Sequence, residues 1–141
     1  MRVYLDTSAY AKRYINEVGS DEIENELSMA TELGLSIISI PEFISAMNRR
    51  LREKSISKSE YAEIKIRLTE EIVDINIIQL TGSVIKNTTM LLEKNVLRAL
   101  DAIHIATAML WQQQETEELV IFSFDKQMQI CAKACGIKLL S

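Results

Sequence analysis

The sequence predicts an α/β fold, a parallel sheet covered by helices on both faces, on three observations. Short runs rich in β-branched residues alternate along the 141 residues with longer stretches of helical period. Those runs are apolar along most of their length, as strands buried on both faces are. No Asn-Gly or Asp-Gly turn joins neighbouring runs, so hairpins are not expected and the strands run parallel.

Arg2–Leu5 (RVYL) reads as the first strand, with a helix over Thr7–Asn16 directly after it. A second helix opens at Ser20, a residue type suited to an N-cap, with Ile23 three residues on. Leu35–Ile40 (LSIISI) reads as the second strand, and Pro41 suits the first position of a helix running to about Lys54. Ser57 and Glu60 have the spacing of a capping box, which starts a helix to about Ile72. Asp74–Leu80 is the third predicted strand, after which Thr81 or Ser83 caps a helix ending near Asn95. From there VLRALDAIHIATAMLWQQ, residues 96–113, is apolar on almost every side and marks an interior helix. Leu119–Phe124 (LVIFSF) is a fourth strand, Asp125–Cys135 a helix stopped by Gly136, and Ile137–Leu140 a fifth strand.

Composition narrows the function. One domain over residues 1–141 is expected at this length, and a chain of this size hides roughly 70% of its unfolded surface. Apolar residues make up 48% and charged residues 26%, which excludes wholesale disorder. No apolar run nears the roughly 20 residues of a membrane span. Asp6 interrupts the first apolar segment before a signal-peptide core can form, so a cytoplasmic protein without a membrane partner is expected. Cys131 and Cys135 lack the companion His or second pair of a zinc site and read as reduced, helix-packing thiols. The net charge of −4 excludes binding to nucleic acid by bulk positive charge alone. A polyanionic substrate needs local compensation.

In a doubly wound sheet, ligands gather beyond the carboxyl ends of the strands, and acids stand there. Asp6 follows the first strand, Glu42 lies two residues past the second, and Asp125 follows the fourth. Asp101 stands early in the apolar helix before the fourth strand. Each has a bland explanation: N-caps at Asp6 and Asp125, a first-turn carboxylate at Glu42, and a pair with Arg98 at Asp101. Jointly they have another. Carboxylates converging at one edge repel, and a hard, oxygen-seeking cation such as Mg²⁺ or Mn²⁺ relieves that repulsion. Two such ions can activate water and steady the leaving oxygen of a phosphodiester. They would also bring the formal charge from −4 to about 0. Thr7, Ser8 and Ser123 add hydroxyls at the same edge, for orienting a carboxylate or a water, or for local turn bonding.

Four segments carry a family resemblance: Val3-Tyr4-Leu5-Asp6-Thr7-Ser8, Ile40-Pro41-Glu42-Phe43, Leu100 to Ala108 (LDAIHIATA) and Phe122-Ser123-Phe124-Asp125-Lys126. Together they resemble the PIN-domain family, and within it the toxin ribonucleases of VapBC toxin–antitoxin systems. The resemblance implies a three-layer α/β/α domain whose five parallel strands lie in the order 3-2-1-4-5. It implies Mg²⁺- or Mn²⁺-dependent cleavage of RNA with one or two ions, a frequent homodimer, and a cognate antitoxin protein. Carried over position by position, the metal-binding acids fall on Asp6, Glu42, Asp101 and Asp125, and the small hydroxyl residue near the fourth acid on Ser123. Phe43 stands where Leu is common. A catalytically silent PIN-like module for metal binding or protein interaction is the alternative implied by the same acids.

Other features have roles to be decided by structure. Arg49-Arg50-Leu51-Arg52-Glu53-Lys54 is either a solvated helix end or a contact for RNA phosphates. His104, the only histidine, reads as packing or as a supporting hydrogen bond, one turn from Asp101. Tyr10, Tyr14 and Ile15 form one stripe, expected in the core or under a partner helix. Rival folds fit poorly. Asp6-Thr7-Ser8-Ala9-Tyr10 lacks the second Ser of a von Willebrand A motif, a receiver domain's acceptor Asp is missing at Thr81-Gly82, and Asp6 lacks the Asp-x-Asp of haloacid-dehalogenase phosphatases.

Overall fold

The computed structural model describes residues 1–16 and 18–140. Its first strand, β1 (Arg2–Leu5), is the buried centre of the sheet. The other strands are β2 (Glu32–Ser36), β3 (Asn76–Ile78), β4 (Leu119–Phe122) and β5 (Lys138–Leu139). All pair in parallel, in the order β3-β2-β1-β4-β5 that the family resemblance implied.

Alternation along the central strands sorts the core into two layers. Val3 and Leu5 of β1 and Val120 and Phe122 of β4 face α1 (Thr7–Ala11), α2 (Ser20–Leu27), α3 (Ser39–Arg52) and α4 (Lys58–Glu71). Tyr4, Leu119 and Ile121 face α5 (Gly82–Lys94), α6 (Ala99–Gln114) and α7 (Lys126–Ala134). Because side chains alternate across a strand with period two, one apolar run supplies both layers. α6 is the interior helix expected: Ala102, Ile105, Ala106, Ala108 and Trp111 are fully buried. Gly34 of β2 lies so near Trp111 that a Cβ there would overlap the indole ring. That position has room only for glycine.

Several boundaries differ from the sequence reading, each for a local reason. β2 begins at Glu32 and ends at Ser36 rather than spanning Leu35–Ile40. Ser36 Oγ accepts from Ile38 N at 3.2 Å, starting the turn into α3. Pro41 is therefore the third helical residue, where its missing N–H is one of the four that a helix start leaves unpaired. The first helix stops at Ala11 rather than Asn16, tightening into three-residue bonds from Arg13 N to Tyr10 O and Tyr14 N to Ala11 O. Gly19, at φ +94°, caps α2, while Ser20 Oγ bonds back to Ile15 O at 2.8 Å. The predicted third strand opens as a 3₁₀ turn over Ile72–Asp74, leaving β3 only Asn76–Ile78. The capping box at Ser57 and Glu60 and the cap at Thr81 are as expected.

Candidate active site

The parallel register carries the first and fourth acids to one edge. Leu5 pairs with Phe122, and Asp6 N continues the ladder by donating to Phe122 O at 3.3 Å. Asp6 is thereby set beside Ser123, just past the carboxyl ends of β1 and β4. Its side chain caps α1, accepting from Ala9 N at 2.8 Å, and only 4% of the residue is exposed. Burial pushes its carboxyl pKa up and the Asp101 carboxylate adds to this, with partial relief from the Ser123 hydroxyl, the Ala9 N–H and His104. Asp6 and Asp101 therefore feel each other's charge.

Glu42, in the first turn of α3, is held from two sides. Thr7 Oγ1 donates to Glu42 Oε1 at 2.7 Å, and His104 Nε2 approaches the same oxygen at 2.9 Å. His104 reaches from α6, and its Nδ1 lies 2.7 Å from the Tyr4 hydroxyl. Burial raises the pKa of Glu42, yet the hydrogen bonds from His104 and Thr7 outweigh it and the net shift is downward. An ionised carboxylate only accepts, so Nε2–H donates to Glu42 Oε1, while Nδ1 is engaged by the Tyr4 hydroxyl. His104 is the supporting hydrogen bond the sequence suggested. Its link to Tyr4, a hundred residues away, is visible only in the fold.

Asp101 pairs with Arg98 through Nε at 3.2 Å, but the Arg98 side chain is 83% exposed and weakly held. The pair with Arg98 is thus present, and Asp101 also lies near enough to Asp6 to raise its pKa. Asp125 is placed otherwise: its Oδ1 caps α7 by accepting from Met128 N at 3.0 Å, and its own N–H donates to Ser123 Oγ at 3.1 Å. Ser123, which also supports Asp6, is its link toward that acid. Ser8 lines the cleft beside Thr7 and Glu42.

That cleft, of about 380 Å³, is rimmed by Lys12, Arg49, Arg50 and Arg98. The sequence singles out the basic stretch at Arg49 and Arg50, and Arg98 as a partner of Asp101; it does not mark Lys12.

Among the described residues, no three of His, Cys, Asp and Glu stand close enough to enclose a metal ion by themselves. The donor chemistry still fits one class of ion. Carboxylate oxygens that repel each other at Asp6 and Asp101 suit a hard cation that keeps several waters and takes one or two carboxylates. They do not suit a metal wanting a closed protein cage.

A parallel sheet in this order, with acids at the carboxyl edge of its central strands, defines a class of α/β protein. The PIN domain model matches residues 3–134, and the chain belongs to the PIN-domain family. It is 26% identical over 137 residues to ribonucleases VapC45 and VapC49 of two Mycobacterium tuberculosis strains, covering 96% of this chain and 92% of each relative. Its fold matches FitAcB from Neisseria gonorrhoeae at a TM-score of 0.75 and 15% identity, over 99% of this chain and 96% of that one. A toxin–antitoxin complex from Klebsiella pneumoniae matches at 0.68 and 16% identity, over 99% and 98%. No helix among the described residues is long and apolar enough to cross a membrane.

Proposed function

We propose that this chain is an Mg²⁺- or Mn²⁺-dependent endoribonuclease, a single domain over residues 1–141, acting as the toxin of a toxin–antitoxin pair. One observation carries the reading. A cleft with Lys12, Arg49, Arg50 and Arg98 on its rim is lined by Glu42 and by Thr7, the residue that follows buried Asp6 and donates to Glu42. The rim draws phosphate toward acids that alone would repel it.

Asp6, ending the most central strand, is the shared metal ligand in this reading. Glu42 and Asp101 complete one ion's shell, and Asp125 holds a second, looser ion directly or through water. A divalent cation bound there supplies Lewis acidity, making water nucleophilic and offsetting charge on the phosphoryl and leaving oxygens. The chain's own part is orientation. Thr7 and His104 fix Glu42, Ser123 supports Asp6 and Asp125, and the basic rim positions the backbone.

The relatives' name, ribonuclease, supports RNA as substrate, and the Klebsiella complex supports an antitoxin partner. A homodimer and a cytoplasmic site of action complete the proposal. A second reading, a catalytically silent module, is favoured by one observation: no three ligands form a ready group among the described residues. The two separate in one assay. Purified chain and its Asp6→Asn variant are incubated with total RNA in Mn²⁺, in Mg²⁺ and in chelator. Discrete metal-dependent fragments, absent in the variant, are expected. Cleavage unchanged in chelator or in the variant overturns the nuclease assignment, and no cleavage in any arm supports the silent module.

A further inference from the structure

A second cleft, of about 710 Å³, opens beside the candidate site and has no part in the chemistry above. It follows edge strand β5 and is walled by Phe124, by Gln129 and Lys133 of α7, and by Lys138. Ser123 also lines it, and Ser123 is the residue beside Asp6. Ser123 thus borders both the cleft and Asp6.

Phe124 is the unusual member. It is 37% exposed, in a segment otherwise buried from Leu119 to Ser123. Its ring is nonetheless held in place. The Phe122 ring lies 5.1 Å away between centroids, Lys12 Nζ sits 4.8 Å from the ring centre, and a Cβ on Gly19 would meet the ring carbons at 3.0 Å. An exposed aromatic already fixed by its neighbours loses little freedom when a flat ligand stacks on it.

Gln129 supplies a polar reading group. Its Nε2 donates to Ser123 O at 2.7 Å, and since a carbonyl only accepts, the sense of the amide is settled. The amide oxygen is the end left to accept from a ligand. It suits the exocyclic amino groups of adenine, cytosine and guanine, which uracil lacks. Lys133 and Lys138 bring positive charge to the walls, the latter shared with Glu118 at 3.0 Å, against one acid, Glu22, among the described lining residues.

We propose that this cleft is a nucleobase subsite, where Phe124 stacks an unpaired base next to the scissile phosphate and Gln129 accepts from its amino group. The inference rests on RNA being the substrate. It specifies single-stranded or looped RNA, because a base paired inside an A-form helix cannot reach a protein ring.

The test separates binding from cleavage. The full chain and its Phe124→Leu, Phe124→Trp and Gln129→Ala variants are titrated, in Ca²⁺ and in chelator, against labelled single-stranded oligoribonucleotides. Each base in turn is replaced by an abasic unit. One abasic position should weaken wild-type binding by about tenfold, the scale of one stacked base. Phe124→Leu should weaken binding of the intact strand equally and ignore that position, whereas Phe124→Trp keeps the wild-type profile. Gln129→Ala should erase the disfavour of uracil there. Melting curves identify a Phe124→Leu protein that has lost its fold, and in that case the other two variants decide. A Phe124→Leu profile identical to wild type overturns the subsite, as does failure of wild type to bind any strand. Cleavage in Mn²⁺ is read separately. Base-dependent binding without cleavage supports the subsite and sinks the nuclease reading; cleavage without base dependence does the reverse.

Discussion

His104 Nε2 lies 2.9 Å from Glu42 Oε1, tying α6 to α3 at the carboxyl edge of the sheet. The imidazole is a positioning group, since the Tyr4 hydroxyl holds the ring from one side and its Nε2–H aims the carboxylate from the other. His104→Ala should raise the metal concentration needed for half-maximal RNA cleavage by about 10- to 100-fold, with activity partly regained at saturating metal. Tyr4→Phe should shift it less, because the Nε2–H remains. An unchanged metal titration in His104→Ala, in protein that melts as wild type does, contradicts the role.

Asp6 makes a prediction about pH. Burial first, and Asp101 next, raise its pKa above the ordinary 3.8, so the folded chain holds a proton that the unfolded chain releases. The contribution of Asp6 to the stability of the metal-free protein is therefore fullest below 3.8 and is lost as pH climbs through the raised value. Asn keeps the helix cap and removes the charge. Metal-free Asp6→Asn should melt a few degrees above wild type at neutral pH, ~1 kcal/mol being worth about 3–5 °C at this chain length. Added Mg²⁺ should raise the melting temperature of wild type and leave the variant unmoved. Calorimetry with and without chelator reads both, and a variant that melts below wild type in chelator refutes the charge argument.

Replacing Arg49 and Arg50 with Glu tests the rim of the smaller cleft. If both meet phosphates, RNA binding should weaken and the slope of log K against log salt should flatten by about one per lost contact. Titrations at several salt concentrations measure this. An unaltered slope would return these residues to the status of a solvated helix end.

Arg2 is a structural prediction. It is 0% exposed, and its guanidinium donates to Trp111 O at 2.6 Å, Glu115 O at 3.2 Å and Glu117 O at 2.6 Å, closing the carboxyl end of α6. Arg2→Met should cost about 3–5 kcal/mol in urea unfolding, because buried carbonyls lose their donors. Arg2→Lys should recover only part, since an ammonium cannot fork across three carbonyls. A loss under about 1 kcal/mol in Arg2→Met would show the carbonyls finding other donors.

Legibility varied with the range of the forces involved. β1, the capping box at Ser57 and the cap at Thr81 were read correctly because each depends on neighbours within a few residues. β2 was misplaced because its first residues, Glu32-Leu33-Gly34, carry no strand signal of their own. Gly34 is there for Trp111, seventy-seven positions away. The apolar Ile37–Ile40, in turn, looks like strand until Ser36 bonds Ile38 and turns the chain. The acids could be singled out by their place after apolar runs. The rim cation Lys12 could not, since nothing near it in sequence marks a cleft, and Arg98 was legible only as a partner of Asp101.

By itself the sequence determined the alternation of strands and helices and the residue types at strand ends, and so the family resemblance. Periodicity, caps and apolar runs are local, and they survive without a fold. Only the tertiary structure decided that Glu42 is aimed by His104 and Thr7, that Ser123 links Asp125 toward Asp6, and that Arg2 seals α6. Those are contacts between distant segments, set by strand register and helix packing, and no window along the chain contains both partners.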